Sequence, residues 1–172
     1  MIVHQEPRTR DGFTLPDACK QLEDCGADVV GLNCSRGPAT MLPLVKAIRQ
    51  AVSAHVAALP VPYRTTEREP TFQSLRDPSC PSIPGGMPFP TALDPFACNR
   101  YELGDFAREA YADDIHYLGV CCGGAPHYVR AMAEALGRTP PASRYSADMS
   151  KHAYFGTDAS LKPENVEFAG EL

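Results

Sequence analysis

The 172-residue chain contains no tryptophan. Trp is the strongest partner for a cation over an aromatic face, so any such contact here falls to Tyr or Phe. Long apolar runs are missing too: none approaches the roughly 18 residues that a membrane helix needs. The N-terminus lacks a basic region followed by an apolar stretch, so no secretory signal is read there. Basic residues are not clustered with aromatics, and the net charge is −5, so nothing points to a nucleic-acid partner. No internal repeat is visible. The remainder, 44% hydrophobic and 22% charged, is ordinary globular material of a length suited to one domain or part of one. The expectation is a cytoplasmic protein with neither membrane nor nucleic acid among its partners.

Seven cysteines are present. Without a secretory signal they read as thiols and not as a disulfide framework. Two of them, Cys121 and Cys122, are adjacent and followed by Gly123-Gly124, between an apolar strand-like run and a short amphipathic helix. Neighbouring side chains on a strand point to opposite faces, so both thiols meet at one point only if the chain bends. The two glycines permit that bend. A third thiol, Cys34, ends another strand-like run, Asp28–Asn33.

Along the chain, Ile2-Val3 reads as the stub of a strand. Thr14 is placed to cap a helix ending at Gly26, with Leu15, Ala18, Cys19 and Leu22 on one face. Cys19 and Cys25 read as buried or semi-buried structural cysteines. After the strand Asp28–Asn33, a helix is expected from about Ala39 to Val52, with Met41, Leu44, Val45 and Ile48 inward, and a strand at His55–Leu59. Between Pro60 and Cys98 lie nine of the 17 prolines and the Gly85-Gly86 pair, which argues against regular structure. A loop this long is usually functional or disordered, and its start at a strand's C-terminal end would let it cover an active-site mouth. Cys80 and Cys98 lie in or beside it without a ligand-type neighbour at metal-binding spacing. A helix Tyr101 to Ala112, a strand Ile115–Val120 and a helix opened by Pro126 complete the pattern, the last with Val129, Met132, Ala133 and Leu136 inward. Alternating strands and helices mean a parallel sheet. Ligands on such sheets gather at the C-terminal strand ends, where Cys34, Cys121 and Cys122 fall.

Three thiolates suit Zn²⁺, which takes four ligands in a structural site and keeps a position open in a catalytic one. Such a site would carry a net charge of −1 and favour an incoming thiol over water. The fitting chemistry is attack by a substrate thiol on a methyl carbon of a cationic centre. From the residues alone, a closed site completed by one of five histidines, a vicinal disulfide, and plain core cysteines stay open beside that reading.

Gly31-Leu32-Asn33-Cys34 and Gly119-Val120-Cys121-Cys122-Gly123-Gly124, followed by Pro126-His127-Tyr128-Val129-Arg130, resemble the homocysteine S-methyltransferase family, its betaine-using members above all. Phe106–Tyr111 and Pro140-Pro141-Ala142-Ser143 extend the likeness, which runs from about Asp11 to Met149. The resemblance implies an α/β fold, the C-terminal portion of a (β/α)8 barrel comprising about three βα units and a strand stub. Residues 1–138 would be the partial homocysteine-binding barrel and 139–172 a C-terminal tail. It implies zinc on Cys34, Cys121 and Cys122, homocysteine sulfur in the fourth position, and methyl transfer from an onium donor, betaine or S-methylmethionine, to give methionine. Asn33 would support the homocysteine site by hydrogen bonding. The tail serves assembly in that family, making 139–172 a candidate oligomerisation arm of a homo-oligomer. A full barrel takes about 250 residues, and the family's early strands, with their Gly-rich homocysteine-binding loop and donor-binding aromatics, have no counterpart here. The alternative expectation is therefore a zinc-binding fragment, inactive alone. Val120 stands where the family usually has glycine, and Asp113-Asp114 where it commonly has a Leu-Gly turn.

Overall fold

The computed structural model describes residues 1–172. Three parallel strands lie side by side in sequence order: β1 (Val29–Asn33), β2 (His55–Leu59) and β3 (Tyr117–Leu118). Val29 stands opposite His55 and Asn33 opposite Leu59, while Ala57 and Ala58 pair with Tyr117 and Leu118. Helices α1 (Leu15–Asp24), α2 (Pro38–Ala51), α3 (Arg100–Ala112) and α4 (Pro126–Ala135) flank these strands in sequence. The expected strand stub lies along the free edge of β1. The Met1 ammonium donates to the Gly31 carbonyl at 2.6 Å, the Asn33 N–H donates to the Met1 carbonyl at 2.9 Å, and Val3 is buried. This is the α/β architecture of part of a (β/α)8 barrel. No helix is long and apolar enough to cross a membrane.

Strand alternation explains the layering. Val30, Leu32, Val56 and Ala58 are buried in one core with Met41, Val45 and Ile48 of α2 and Leu103, Phe106, Ala107 and Ala110 of α3. On the opposite sheet face Val29, His55 and Tyr117 are exposed, while Asn33, Ala57 and Leu59 are half-buried. Each fully buried aliphatic side chain contributes about 1.5–3 kcal/mol, so α2 and α3 are held chiefly by these stripes. The helix starts follow from local chemistry. Thr14 Oγ1 accepts the Asp17 N–H at 3.3 Å, and Asn99 with Glu102 forms a reciprocal capping box at the start of α3.

Four expectations change. β3 covers two residues instead of six, because its start is drawn into the end of α3, where the Ile115 N–H donates to the Ala110 carbonyl at 3.0 Å. In α4 the inward face carries Tyr128 and Met132, whereas Val129 is 50% exposed. The Tyr128 hydroxyl donates to the Cys98 carbonyl at 2.8 Å and sets that phase. On α1, Leu15 and Cys19 are buried, but Leu22 and Cys25 are exposed, so the buried face is confined to the first turns of the helix. Finally, the segment from Pro60 to Cys98 has only short 3₁₀ turns, as expected, yet it builds an apolar cluster of its own from Val61, Phe72, Leu75 and Leu93.

Residues Met1–Pro140 and Pro141–Leu172 form separate compact units. The second contains an unexpected short helix, α5 (Pro163–Ala169), and an aromatic group in which the Tyr154 and Phe168 rings lie 6.0 Å apart. His152 Nδ1 accepts the N–H groups of Tyr154 and Phe155, each at 3.2 Å.

The phase of α4 is testable by chemical denaturation. Met132→Ala is expected to cost about 2–5 kcal/mol, whereas Val129→Ala should stay within about 0.5 kcal/mol of the parent. Equal losses would contradict the observed face.

Candidate metal centre

β2 sits between β1 and β3, and its exit holds both thiol-bearing loops. The Leu59 carbonyl accepts the Cys34 N–H at 2.9 Å, and the Pro60 carbonyl accepts the Cys121 N–H at 2.8 Å. The Gly119 N–H on the Ala58 carbonyl at 3.3 Å and the Val61 N–H on the Arg36 carbonyl at 3.0 Å extend the same register. The two loops therefore leave the sheet at one level on either side of a shared strand. That is how thiols distant in sequence come together.

Both loops are bent sharply. Cys34 and Ser35 take left-handed backbone angles, with φ of 72° and 68°. This region is sparsely used by residues with a side chain and is characteristic of functional turns. The conformation is enforced from outside: Ser35 is fully buried, its carbonyl accepts the Phe72 N–H at 2.9 Å, and its hydroxyl donates to Gln73 Oε1 at 3.1 Å. The buried Arg36 guanidinium donates to the His4 and Gln5 carbonyls at 2.6–3.1 Å, tying the N-terminal segment to the same loop. Desolvation lowers its pKa. Two glycines of the motifs have steric reasons. At Gly31 (φ 145°) a Cβ would stand 2.0 Å from the Ala57 carbonyl oxygen, and at Gly123 (φ 82°) it would stand 2.4 Å from the Tyr63 hydroxyl.

The result is a cluster of three sulfur atoms, Cys34, Cys121 and Cys122, all within 4.8 Å of one another. Cys34 Sγ lies 3.4 Å from Cys122 Sγ, and Cys121 Sγ lies 3.9 Å from Cys122 Sγ. Sulfurs on tetrahedral zinc, each about 2.3 Å from the metal, would be about 3.8 Å apart. The donor set and spacing thus fit a thiophilic cation with little rearrangement. Burial raises the Cys34 pKa, but hydrogen bonds from Cys121 and Cys122 outweigh it and bring the thiol below its ordinary value. Cys122 moves the other way, pushed up to about 11 by its hydrogen bond with Cys34, by burial and by Cys121. The two thiols are thus shifted in opposite directions by the hydrogen bond they share.

Asn33 ends β1 and is half-buried, on the strand face opposite Val30 and Leu32. Of the other thiols, Cys80 is half-buried and outside the cluster, while Cys98 is buried and pushed up to about 12 by burial and by Glu102. The long loop lies beside the thiols: its apolar cluster packs against Cys34 and Cys121, with its own Tyr63 and Phe96 alongside. Sequence reasoning missed Tyr63, whose ring lies against the Gly123 turn and stacks on Phe72 with centroids 5.8 Å apart. The one available signal was its position just past a strand whose two neighbours both end in cysteine.

These thiols should differ in reactivity. In metal-free, reduced protein at neutral pH, mass spectrometry should find Cys34 alkylated by iodoacetamide at least about tenfold faster than Cys98. Comparable rates would contradict the described environments.

Comparison with known proteins matches residues 1–136 to the family model described as Homocysteine S-methyltransferase. The chain is 36% identical over 152 residues to betaine–homocysteine S-methyltransferase 1 of Danio rerio, covering 86% of this chain and 35% of the relative. It is 32% identical over 161 residues to the protein of the same name from Xenopus tropicalis, covering 88% and 36%. To an S-methylmethionine–homocysteine S-methyltransferase of Pongo abelii it is 31% identical over 175 residues, covering 95% and 43%. The chain spans between about a third and under half the length of these relatives. With the match extending over most of its length, the chain belongs to the homocysteine S-methyltransferase family.

Proposed function

We propose that Cys34, Cys121 and Cys122 hold a zinc ion, and that the site accepts homocysteine for methylation by an onium donor, betaine or S-methylmethionine, yielding methionine. The observation that carries this reading is the convergence of three thiols within 4.8 Å at the ends of two strands, in a chain of this family. Zinc bound by three thiolates would hold an incoming thiol as thiolate at neutral pH and leave it nucleophilic.

The chain's own residues supply the rest. Three thiolates on a dication would leave a net charge of −1, and −2 once homocysteine is held as thiolate, which would favour the approach of a cationic methyl donor and the charge distribution of the transfer. In that transfer the homocysteine sulfur forms a bond to the methyl carbon. The carbon–nitrogen or carbon–sulfur bond of the donor breaks, and its electron pair leaves with a neutral amine or thioether. The thiol proton would already have passed to solvent when homocysteine bound. Val61, Phe72, Leu75 and Leu93 form a dry wall behind Cys34 and Cys121, limiting competition by water from that side. Asn33, at the end of β1, is assigned a supporting hydrogen bond to homocysteine. The setting is a compartment that keeps thiols reduced, as the cytoplasm does.

A second reading is that this chain is the metal- and thiol-binding part of such an enzyme and requires further strands for turnover. The span of 35–43% of the relatives' length favours it. Residues 139–172 are then an assembly arm, consistent with the exposure of Phe155, Phe168 and Leu172.

Purified under reducing conditions, the chain should carry one zinc, lost in Cys121→Ala and kept in Cys98→Ala; full zinc in Cys121→Ala would contradict the ligand set. Methionine formation from betaine or S-methylmethionine separates the readings, since turnover supports the first and zinc without turnover the second. Metal binding should also depend on pH. Cys122, near 11 without metal, must release a proton to bind, and lower pH restores that competitor. Zinc affinity should therefore fall by about tenfold or more per unit from pH 8 to 6. A flat profile would exclude thiolate ligation.

A further inference from the structure

The two thiol loops are joined by more than their sulfurs. An aromatic stack runs between them, and one of its members touches the Gly123 turn directly. We propose that Tyr63 is a positioning residue for the thiol centre, its ring serving as the surface on which the Cys121–Gly124 turn folds and so deciding where Cys121 and Cys122 point. This role rests on the reading of the three thiols as a metal site.

The contact is close and steric. A Cβ placed on Gly123 would lie 2.4 Å from the Tyr63 hydroxyl oxygen, 2.8 Å from Cζ and 2.9 Å from Cε2. The hydroxyl end of the ring therefore occupies the space that a side chain at Gly123 would need. Gly123 has a φ of 82°, and the turn it belongs to is closed by the Gly124 N–H on the Cys121 carbonyl at 2.8 Å. Cys121 and Cys122 sit at the start of that turn, so a rotation of it moves both sulfurs relative to Cys34.

The ring is itself fixed from the other thiol loop. It stacks on Phe72 with an interplanar angle of 13°, and Phe72 meets the Phe89 ring edge-on at 5.0 Å. The Phe72 N–H donates to the Ser35 carbonyl, adjacent to Cys34. Tyr63 is anchored through its backbone as well: its N–H donates to the Val61 carbonyl at 2.8 Å, and it forms an antiparallel bridge with Ala97. Its own carbonyl oxygen would stand 2.0 Å from a Cβ on Gly37, the residue that caps α2. Tyr63 thus has little freedom to yield if the Gly123 turn shifts. A rigid ring touching one loop and linked to the other transmits a fixed separation between them, as groups behind metal ligands do when they orient those ligands.

The test is zinc affinity in the full reduced chain, read by competition with a chromogenic chelator. Tyr63→Phe keeps the ring and should bind within about threefold of the parent, whereas Tyr63→Ala should bind about 10–100-fold more weakly. Gly123→Ala should also weaken binding. In the double variant part of that loss should be recovered, because the trimmed side chain makes room for the new methyl, giving a non-additive cycle. Should Tyr63→Ala fail to fold by circular dichroism, Tyr63→Leu, which keeps apolar bulk without the planar surface, carries the same expectation. Parental affinity in the Ala or Leu variant, or strict additivity in the cycle, overturns the role. A parent chain that binds no zinc overturns the metal-site reading and this role with it, a result distinct from normal binding by every variant.

Discussion

Everything at the thiol centre depends on the carbonyl groups at the exit of β2. Leu59 and Pro60 present successive carbonyls to opposite sides, one to the amide of Cys34 and the next to that of Cys121. Neither residue offers a metal-binding side chain, yet between them they fix the height at which both loops leave the sheet. Strand spacing in a parallel sheet is about 4.8 Å, so β1 and β3 stand roughly two such steps apart. Thiols meet across that gap only if each loop turns inward over β2. The left-handed angles at Cys34, Ser35 and Gly123 are the local expression of that requirement.

The same constraint explains why the long proline-rich segment is ordered as a wall. It begins where β2 ends, so its first residues already lie between the two loops. Val61, Phe72, Leu75 and Leu93 bury themselves against Cys34 and Cys121, and the segment returns to the fold through Cys98, whose N–H donates to the Pro62 carbonyl at 2.9 Å. Burial here has an electrostatic consequence. Three thiols that share a partly desolvated space cannot all ionise without a cation, and the opposed shifts of Cys34 and Cys122 record that conflict. A dication removes it, which is the physical link between the fold and the proposed chemistry.

Much of this was legible in the sequence, for identifiable reasons. Strand β2 and the bodies of α1–α3 follow from apolar periodicity and from signals such as Thr14 and Gly26. The thiols were singled out because a strand followed by a cysteine is readable, and the family resemblance, not spacing, joined Cys34 to Cys121 and Cys122. Less visible was whatever depends on a neighbour. The phase of α4 turns on one hydrogen bond from Tyr128 to Cys98, and the shortness of β3 on how α3 ends. The apolar cluster of the 60–98 segment has no period to detect, since Phe72, Leu75 and Leu93 are placed by irregular turns. Tyr63 was hidden for the same reason, being an aromatic in a stretch without regular structure.

The central claim is that one metal ion is held by sulfur from both loops at once. X-ray absorption at the zinc edge, on reconstituted reduced protein, measures the ligand set directly. Three sulfur scatterers at about 2.3 Å, rising to four on addition of homocysteine, is the result the account predicts. A shell with two sulfurs or fewer, or one dominated by nitrogen and oxygen, would mean that Cys34 does not share a metal with Cys121 and Cys122, and would contradict it.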